Sequence, residues 1–73
     1  MSGRGSWFQR HRYDWIAESC RIFGRINRSH IVSKFGVSVP QASMDLAAVM
    51  KLWPDVIVYN PSAKEYQWKG GSR

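Results

Sequence analysis

The stretch Phe35-Gly36-Val37-Ser38-Val39-Pro40-Gln41-Ala42 decides the fold. Phe35 anchors the end of a short helical pattern, and Gly36 permits the left-handed residue that closes a helix. Val37 is apolar between two polar neighbours and is placed to plug the gap between two helices. Ser38, Pro40 in the first turn and Gln41 three residues after the Ser form a capping box, which starts a new helix at Val39. Ala42 sits one turn in, where a small side chain lets two helices approach. Two short helices joined by about three residues that include Gly are the signature of a helix-turn-helix.

Outward from this stretch, each neighbour supplies a matching element. Asn27 is a good N-cap for a helix from Arg28 to Phe35, with Ile31 and Phe35 facing inward. Downstream, Ala42, Leu46, Val49, Met50 and Trp53 make the buried stripe of a helix over residues 39–52, ended by Pro54. Val56 to Tyr59 is β-branched and aromatic, Asn60 to Lys64 is turn material, and Glu65 to Trp68 returns as a second strand. That hairpin, residues 56–68, is a wing. Upstream, Trp7 to Phe23 lacks Gly and Pro, and Tyr13, Ile16, Cys20 and Phe23 recur at helical spacing. Gly24-Arg25-Ile26 is a short extended connection. The expected fold is mainly α with a small β-hairpin: a winged helix-turn-helix of three helices plus wing. It spans residues 7–68, after a flexible Gly/Ser-rich start (1–6) and before a polar tail (69–73).

Composition narrows the function. The 73 residues carry eleven Lys and Arg against five Asp and Glu, a formal net charge of +6. This length allows one domain and leaves no room for the barrels and doubly wound sheets that host most cofactor chemistry. The single cysteine excludes an internal disulfide, and no Cys/His cluster has the spacing of a zinc site. No apolar run approaches the roughly 20 residues of a membrane span, and there is no signal-peptide core. The chain therefore reads as a compact, basic, cytoplasmic domain without cofactor or evident small-molecule site, whose partner is a polyanion.

Several separated motifs carry a family resemblance. Gly24-Arg25-Ile26-Asn27-Arg28-Ser29, then Phe35-Gly36-Val37-Ser38, then Pro40-Gln41-Ala42-Ser43-Met44-Asp45-Leu46 resemble DeoR-type winged helices. The combination is most similar to the N-terminal DNA-binding domain of bacterial WYL-domain transcriptional regulators, and Tyr59 to Tyr66 resembles the wing of that group. The resemblance covers roughly residues 10 to 68. It implies a DNA-binding regulator, expected to be a repressor, of a bacterial or phage operon. Effector-sensing and dimerisation regions normally follow this domain in the family. A chain that stops at Arg73 therefore reads as either an excised domain or a free-standing small regulator.

Helix geometry nominates the contacts. In helix-turn-helix docking the start of the second helix enters the major groove. Opposite the buried stripe lie Pro40, Gln41, Met44, Ala48 and Lys51, with Ser43 flanking. Gln41 suits adenine, Ser43 a base edge or phosphate, and Met44 a thymine methyl, so Pro40, Gln41, Ser43 and Met44 are the expected base readers. Arg28, Ser29, Lys34, Lys51 and Lys64 are the expected backbone contacts. Six of the seven Arg precede residue 29; Arg4, Arg10 and Arg12 can serve as a basic arm or stay solvated. Asp45, toward the core edge, is expected to pair with an Arg of the first helix. Tyr13, Phe23, Phe35 and Trp53 fit one core, which leaves Trp7, Phe8, Trp15 and Trp68 in surplus. No strand shows a paired aromatic platform for single-stranded bases. Phe8, Trp15 and Ile22 are accordingly expected at a homodimer contact, matching a palindromic operator in double-stranded DNA.

Catalysis finds no support. Cys20 lies on the buried stripe, His11 and His30 have no partner at metal spacing, and Asp14 and Glu18 have Arg10 and Arg21 nearby as solvated ion-pair partners. The competing readings are an excisionase-like protein that bends DNA and a winged helix used for protein–protein contact.

Overall fold

The computed structural model describes residues 3–71, with Met1, Ser2, Ser72 and Arg73 outside the described residues. The element order is α1 (Gly3–Phe23), β1 (Arg25–Ile26), α2 (Arg28–Phe35), α3 (Val39–Leu52), β2 (Ile57–Asn60) and β3 (Glu65–Trp68). Three helices and a small antiparallel sheet make a winged helix-turn-helix.

Local chemistry sets most boundaries. Asn27 Oδ1 accepts the His30 N–H, and His30 Nδ1 accepts the Asn27 N–H at 3.2 Å, so the reciprocal capping box belongs to α2. Gly36 adopts φ 66° and returns its N–H to the Val32 carbonyl at 2.8 Å, which ends α2. Ser38 Oγ accepts the Gln41 N–H at 3.2 Å and opens α3. The expected second half of that box gives way, because the Gln41 side chain turns forward to Asp45 instead. α1 begins at Gly3, ahead of the expected start at Trp7. A ring contact one turn apart supports the early turns: Trp7 and His11 stack at 5.6 Å with planes 2° apart.

The sheet has the order β1-β3-β2, so the two-residue connection after α1 is a true strand. Arg25 faces Gln67 and Ile26 faces Tyr66, while Tyr59 also faces Tyr66 across the hairpin. The segment after β3 is fixed too: the Lys69 N–H reaches Val56 and the Gly71 N–H reaches Asp55, each at 2.8 Å. A Cβ at Gly71 would meet the Asp55 carbonyl oxygen at 2.3 Å, so only glycine fits that approach.

The core gathers Ile16, Ala17 and Cys20 of α1, Ile26 of β1, Ile31 of α2, Ala42, Leu46 and Val49 of α3, and Val56 and Ile57. Phe23 departs from expectation, being 74% exposed. It lies on the same side of α1 as Cys20, but on the helix's last residue, lining an open groove shared with His30, Ser33 and Lys34 of α2. Phe35 and Trp53 do pack against the core, and so does Trp15.

Candidate nucleic-acid interface

α3 presents its exposed face through its first three turns. Pro40 and Ala47 are exposed, Met44 is 65% exposed, and Gln41, Ser43 and Ala48 are half-buried. Opposite them Ala42, Leu46 and Val49 are fully buried, so the apolar stripe fixes which groups face away. Val39, 52% exposed at the helix start, joins this face although the sequence gives it no role.

Beneath the face lies a buried charge. Asp45 has no exposed surface, and its carboxylate accepts Arg12 Nε at 2.8 Å and Arg12 Nη2 at 3.1 Å. Gln41 Nε2 donates to the same carboxylate at 2.9 Å. The expected Asp45 pair with α1 is therefore present, and it withdraws Arg12 from any arm. The bond to Asp45 raises the Arg12 pKa above its ordinary value, so the guanidinium stays charged. Arg10 is exposed but engaged, its guanidinium 5.2 Å from the Trp53 ring and its Nε 3.3 Å from Asp14. The Arg4 side chain lies outside what the structure describes.

α2 brings a cation to the start of α3. Arg28 Nη1 donates to Ser43 Oγ at 3.3 Å, which joins a backbone candidate to a base-reading candidate. Arg28 and Ser29 also line a cleft of about 590 Å³ between α2, the start of α3 and the wing, and Lys64 lines its far side. Lys64 takes φ 56° at the end of the wing turn, where Asn60 Oδ1 accepts the N–H groups of Ser62 and Ala63 at 3.0 and 3.2 Å. The turn is thus held by its own side chain, and the Lys64 ammonium has a fixed base.

Tyr59 and Tyr66 line the same cleft, with ring centroids 4.8 Å apart. No strand was expected to offer a paired aromatic platform for bases; Tyr59 and Tyr66 form a pair across two strands, their planes tilted by 53°. The signal was present in the sequence: each Tyr stands next to a turn-closing residue, Asn60 or Glu65, so any hairpin through this turn must set the two opposite each other.

Two backbone candidates stand apart. Lys34 sits over the Trp15 ring, 6.0 Å from its centroid, and lines a separate groove between α1 and α2. Lys51 is exposed in the last turn of α3, some 16 Å along the axis from Pro40 at roughly 1.5 Å per residue. Of the residues expected at a second-subunit contact, Phe8 and Ile22 are 50% and 59% exposed, whereas Trp15 packs edge-on against Phe35 at 5.3 Å. The groove by Lys34 has a volume of about 630 Å³ and contains Trp15, Phe23, Arg25 and His30, a hollow that periodicity alone could not reveal.

Burial pushes the Cys20 thiol up to about 11, so it remains neutral and serves packing. Asp14 and Glu18 pair with Arg10 and Arg21 on exposed helix surface. Among the described residues no three His, Cys, Asp or Glu come together as a metal site, and no helix is long and apolar enough to cross a membrane.

Comparison with known proteins agrees with this geometry. The family model for the winged helix-turn-helix domain of the BrxR transcriptional regulator matches residues 9–70. The DNA-binding transcriptional repressor CapW of Escherichia coli (strain KTE188) is 44% identical over 61 residues, covering 84% of this chain and 20% of that protein. CapW of Pseudomonas aeruginosa is 39% identical over 61 residues, with the same shares covered. CapW of Stenotrophomonas maltophilia is 37% identical over 65 residues, covering 89% of this chain and 22% of that protein. The chain thus spans about a fifth of the length of the curated relatives it matches.

Proposed function

This chain belongs to the family of winged helix-turn-helix domains of BrxR transcriptional regulators, and we propose that it binds double-stranded DNA sequence-specifically in the bacterial cytoplasm to repress transcription. The observation that carries this reading is the exposed start of α3, with Arg28 bonded to Ser43 on one side and Lys64 across the cleft. Groups able to read base edges are thereby flanked by cations able to hold phosphates.

In this reading α3 enters the major groove with Pro40, Gln41, Ser43 and Met44 toward the base edges. Gln41 pairs with adenine and Met44 meets a thymine methyl. Arg28, Ser29 and Lys64 hold the backbone on both sides of the cleft, joined by the Tyr59 hydroxyl, and Lys51 reaches a phosphate further along. Lys34, on the far side of α2, contributes long-range attraction rather than a contact. Two copies pair on a palindromic operator, using the exposed aromatic start of α1, Trp7 and Phe8, together with Ile22; those three side chains are each half or more exposed.

Selection of bound sequences from a random duplex pool tests the reading. A palindromic consensus is expected, bound by two copies. Gln41→Ala should flatten preference at one base pair of each half-site, at a cost of about 1–3 kcal/mol on the preferred sequence. Lys64→Ala should weaken all sequences alike and lower the salt slope by about 1. Recovery of no consensus, with weak binding at physiological salt, would show a protein–protein module instead. Equal losses on selected and random duplexes for Gln41→Ala would remove α3 as the reader.

A further inference from the structure

We infer that Asp45, itself held by Arg12, is a positioning residue that fixes the orientation of the Gln41 side-chain amide and so sets which base the domain accepts. This rests on the reading above that Gln41 meets a base edge. Three observations carry it. Asp45 is a fully buried carboxylate on α3, one turn beyond Gln41. Both of its oxygens are engaged by the Arg12 fork, at 2.8 and 3.1 Å. Its Oδ1 also accepts Gln41 Nε2 at 2.9 Å.

The chemistry allows one orientation. A carboxylate paired with a guanidinium is ionised and can only accept hydrogen bonds. Rotating the Gln41 amide by half a turn would set its carbonyl oxygen against that negative charge. The nitrogen must therefore face Asp45 and spend one of its two N–H bonds there. The carbonyl oxygen and the second N–H are left for a partner. One acceptor beside one donor complements the adenine edge, with N6–H as donor and N7 as acceptor. It mismatches guanine, whose O6 and N7 both require donors. A surface Gln without such an anchor turns freely and offers two donors as readily as a donor and an acceptor. Asp45 converts a tolerant side chain into a selective one without touching DNA.

The position of the pair also explains why an expensive buried charge stands in so small a core. Burying an ion pair contributes little net stability relative to apolar residues of similar size. An acid at this position is accounted for by what it does to Gln41, while the Arg12 fork answers its charge.

The test begins with the unaltered protein. In a ¹⁵N–¹H spectrum, with the Gln41 side-chain signals assigned by their loss in Gln41→Ala, one Nε2 proton should be shifted and protected from exchange. Two equivalent, rapidly exchanging protons would overturn the proposal whatever any variant does. The second arm is the paired replacement Arg12→Met with Asp45→Leu, which removes the carboxylate while keeping the site filled. Binding is then measured on duplexes differing only at the base pair that Gln41→Ala flattens. The preference for A·T over G·C there should fall on the order of tenfold, while the salt slope and the preferences at other base pairs stay unchanged. A folded double variant that keeps the preference at that base pair overturns the positioning role and leaves Gln41 as reader. If Gln41→Ala flattens no base pair, the reading of Gln41 itself fails. A purely structural Asp45 predicts equal losses at every base pair, which the same measurement would expose.

Discussion

Removing Arg12 alone should be among the most damaging single changes to this fold, and the structure says by how much. The Asp45 carboxylate has no exposed surface and accepts three N–H groups, two from Arg12 and one from Gln41. Arg12→Met removes the opposing charge and two of those three donors, leaving a buried anion with one neutral partner. Breaking a buried pair in this way costs about 3–5 kcal/mol. A domain of this length has roughly 4–11 kcal/mol in total, taking about 0.05–0.15 kcal/mol per residue. The variant should therefore be partly unfolded at room temperature or lie at its edge. Arg12→Met combined with Asp45→Leu removes both charges and fills the site, and should recover to within about 1 kcal/mol of the parent or exceed it. Urea titration followed by far-ultraviolet circular dichroism measures this directly. With a denaturant slope near 1 kcal/mol per molar for so small a domain, Arg12→Met should move the midpoint down by about 3 M or abolish the transition. A cycle through both single variants and the double should give a coupling energy of about 3 kcal/mol. An Arg12→Met loss under about 1 kcal/mol, or strictly additive losses, would show that the pair is solvated and that the reasoning from burial is wrong.

Three further expectations concern the cap, the core and the wing. Asn27→Ala removes the acceptor for the His30 N–H and should cost about 1 kcal/mol, read as a lower urea midpoint with an unchanged slope. The Cys20 thiol, held up at about 11 by burial, is neutral in the folded state over a range where an exposed thiol ionises. Its contribution is therefore complete below about pH 9 and is lost as pH rises toward 11, by at most about 2.7 kcal/mol at 1.36 kcal/mol per unit. Tyr13, raised by burial and by the Asp45 charge, acts in the same direction. Melting temperature should fall across that window, and Cys20→Ala should make the fall shallower; an identical slope in the variant would exclude the thiol as its source. Tyr59→Phe should weaken binding to selected and random duplexes equally, by about 1 kcal/mol, without moving the melting temperature; an unchanged affinity would remove the Tyr59 hydroxyl from the interface.

Sequence and structure agree best where the chemistry is local. Asn27, Gly36 and Ser38 each act within four residues of themselves, so their roles can be read without knowing the fold. Asp45 was legible for a different reason: a carboxylate on the core side of a helix must find a cation, whatever the topology. Which cation was not legible, because Arg10 and Arg12 differ only in how α1 crosses α3. Phe23 marks the limit of periodicity, which gives a residue's side of a helix but not whether the space beside it is filled or left as an open groove. Competition between partners hid the Gln41 side chain, since its amide can reach back toward the cap or forward to Asp45, and a charged acceptor outweighs a backbone N–H. β1 was legible only as a short extended connection, because two residues carry no alternation; its pairing with β3 makes it a strand.

The distribution of charge shows why such distinctions matter for function. By sequence six of the eleven cations lie in the first 28 residues, where Arg4, Arg10 and Arg12 can serve as a basic arm or stay solvated. In the fold those arginines are largely answered by acids: Arg10 by Asp14, Arg12 by Asp45, Arg21 by Glu18, and Arg25 by Glu65 at 4.0 Å. Those pairs engage four of the five acids in the chain. Among the residues whose side chains are described, the cations without an ion-pair acid are Arg28, Lys34, Lys51, Lys64 and Lys69, set along α2, α3, the wing and the residue that follows it. The positive surplus is thus displaced from where the sequence is densest in Arg to the elements that frame the proposed reading face. Acids concentrated on α1 and in the buried pair make that displacement possible. The same Asp45 that helps neutralise α1 also holds Gln41, so under the proposed reading the direction of attraction and the choice of base are set by one set of carboxylates.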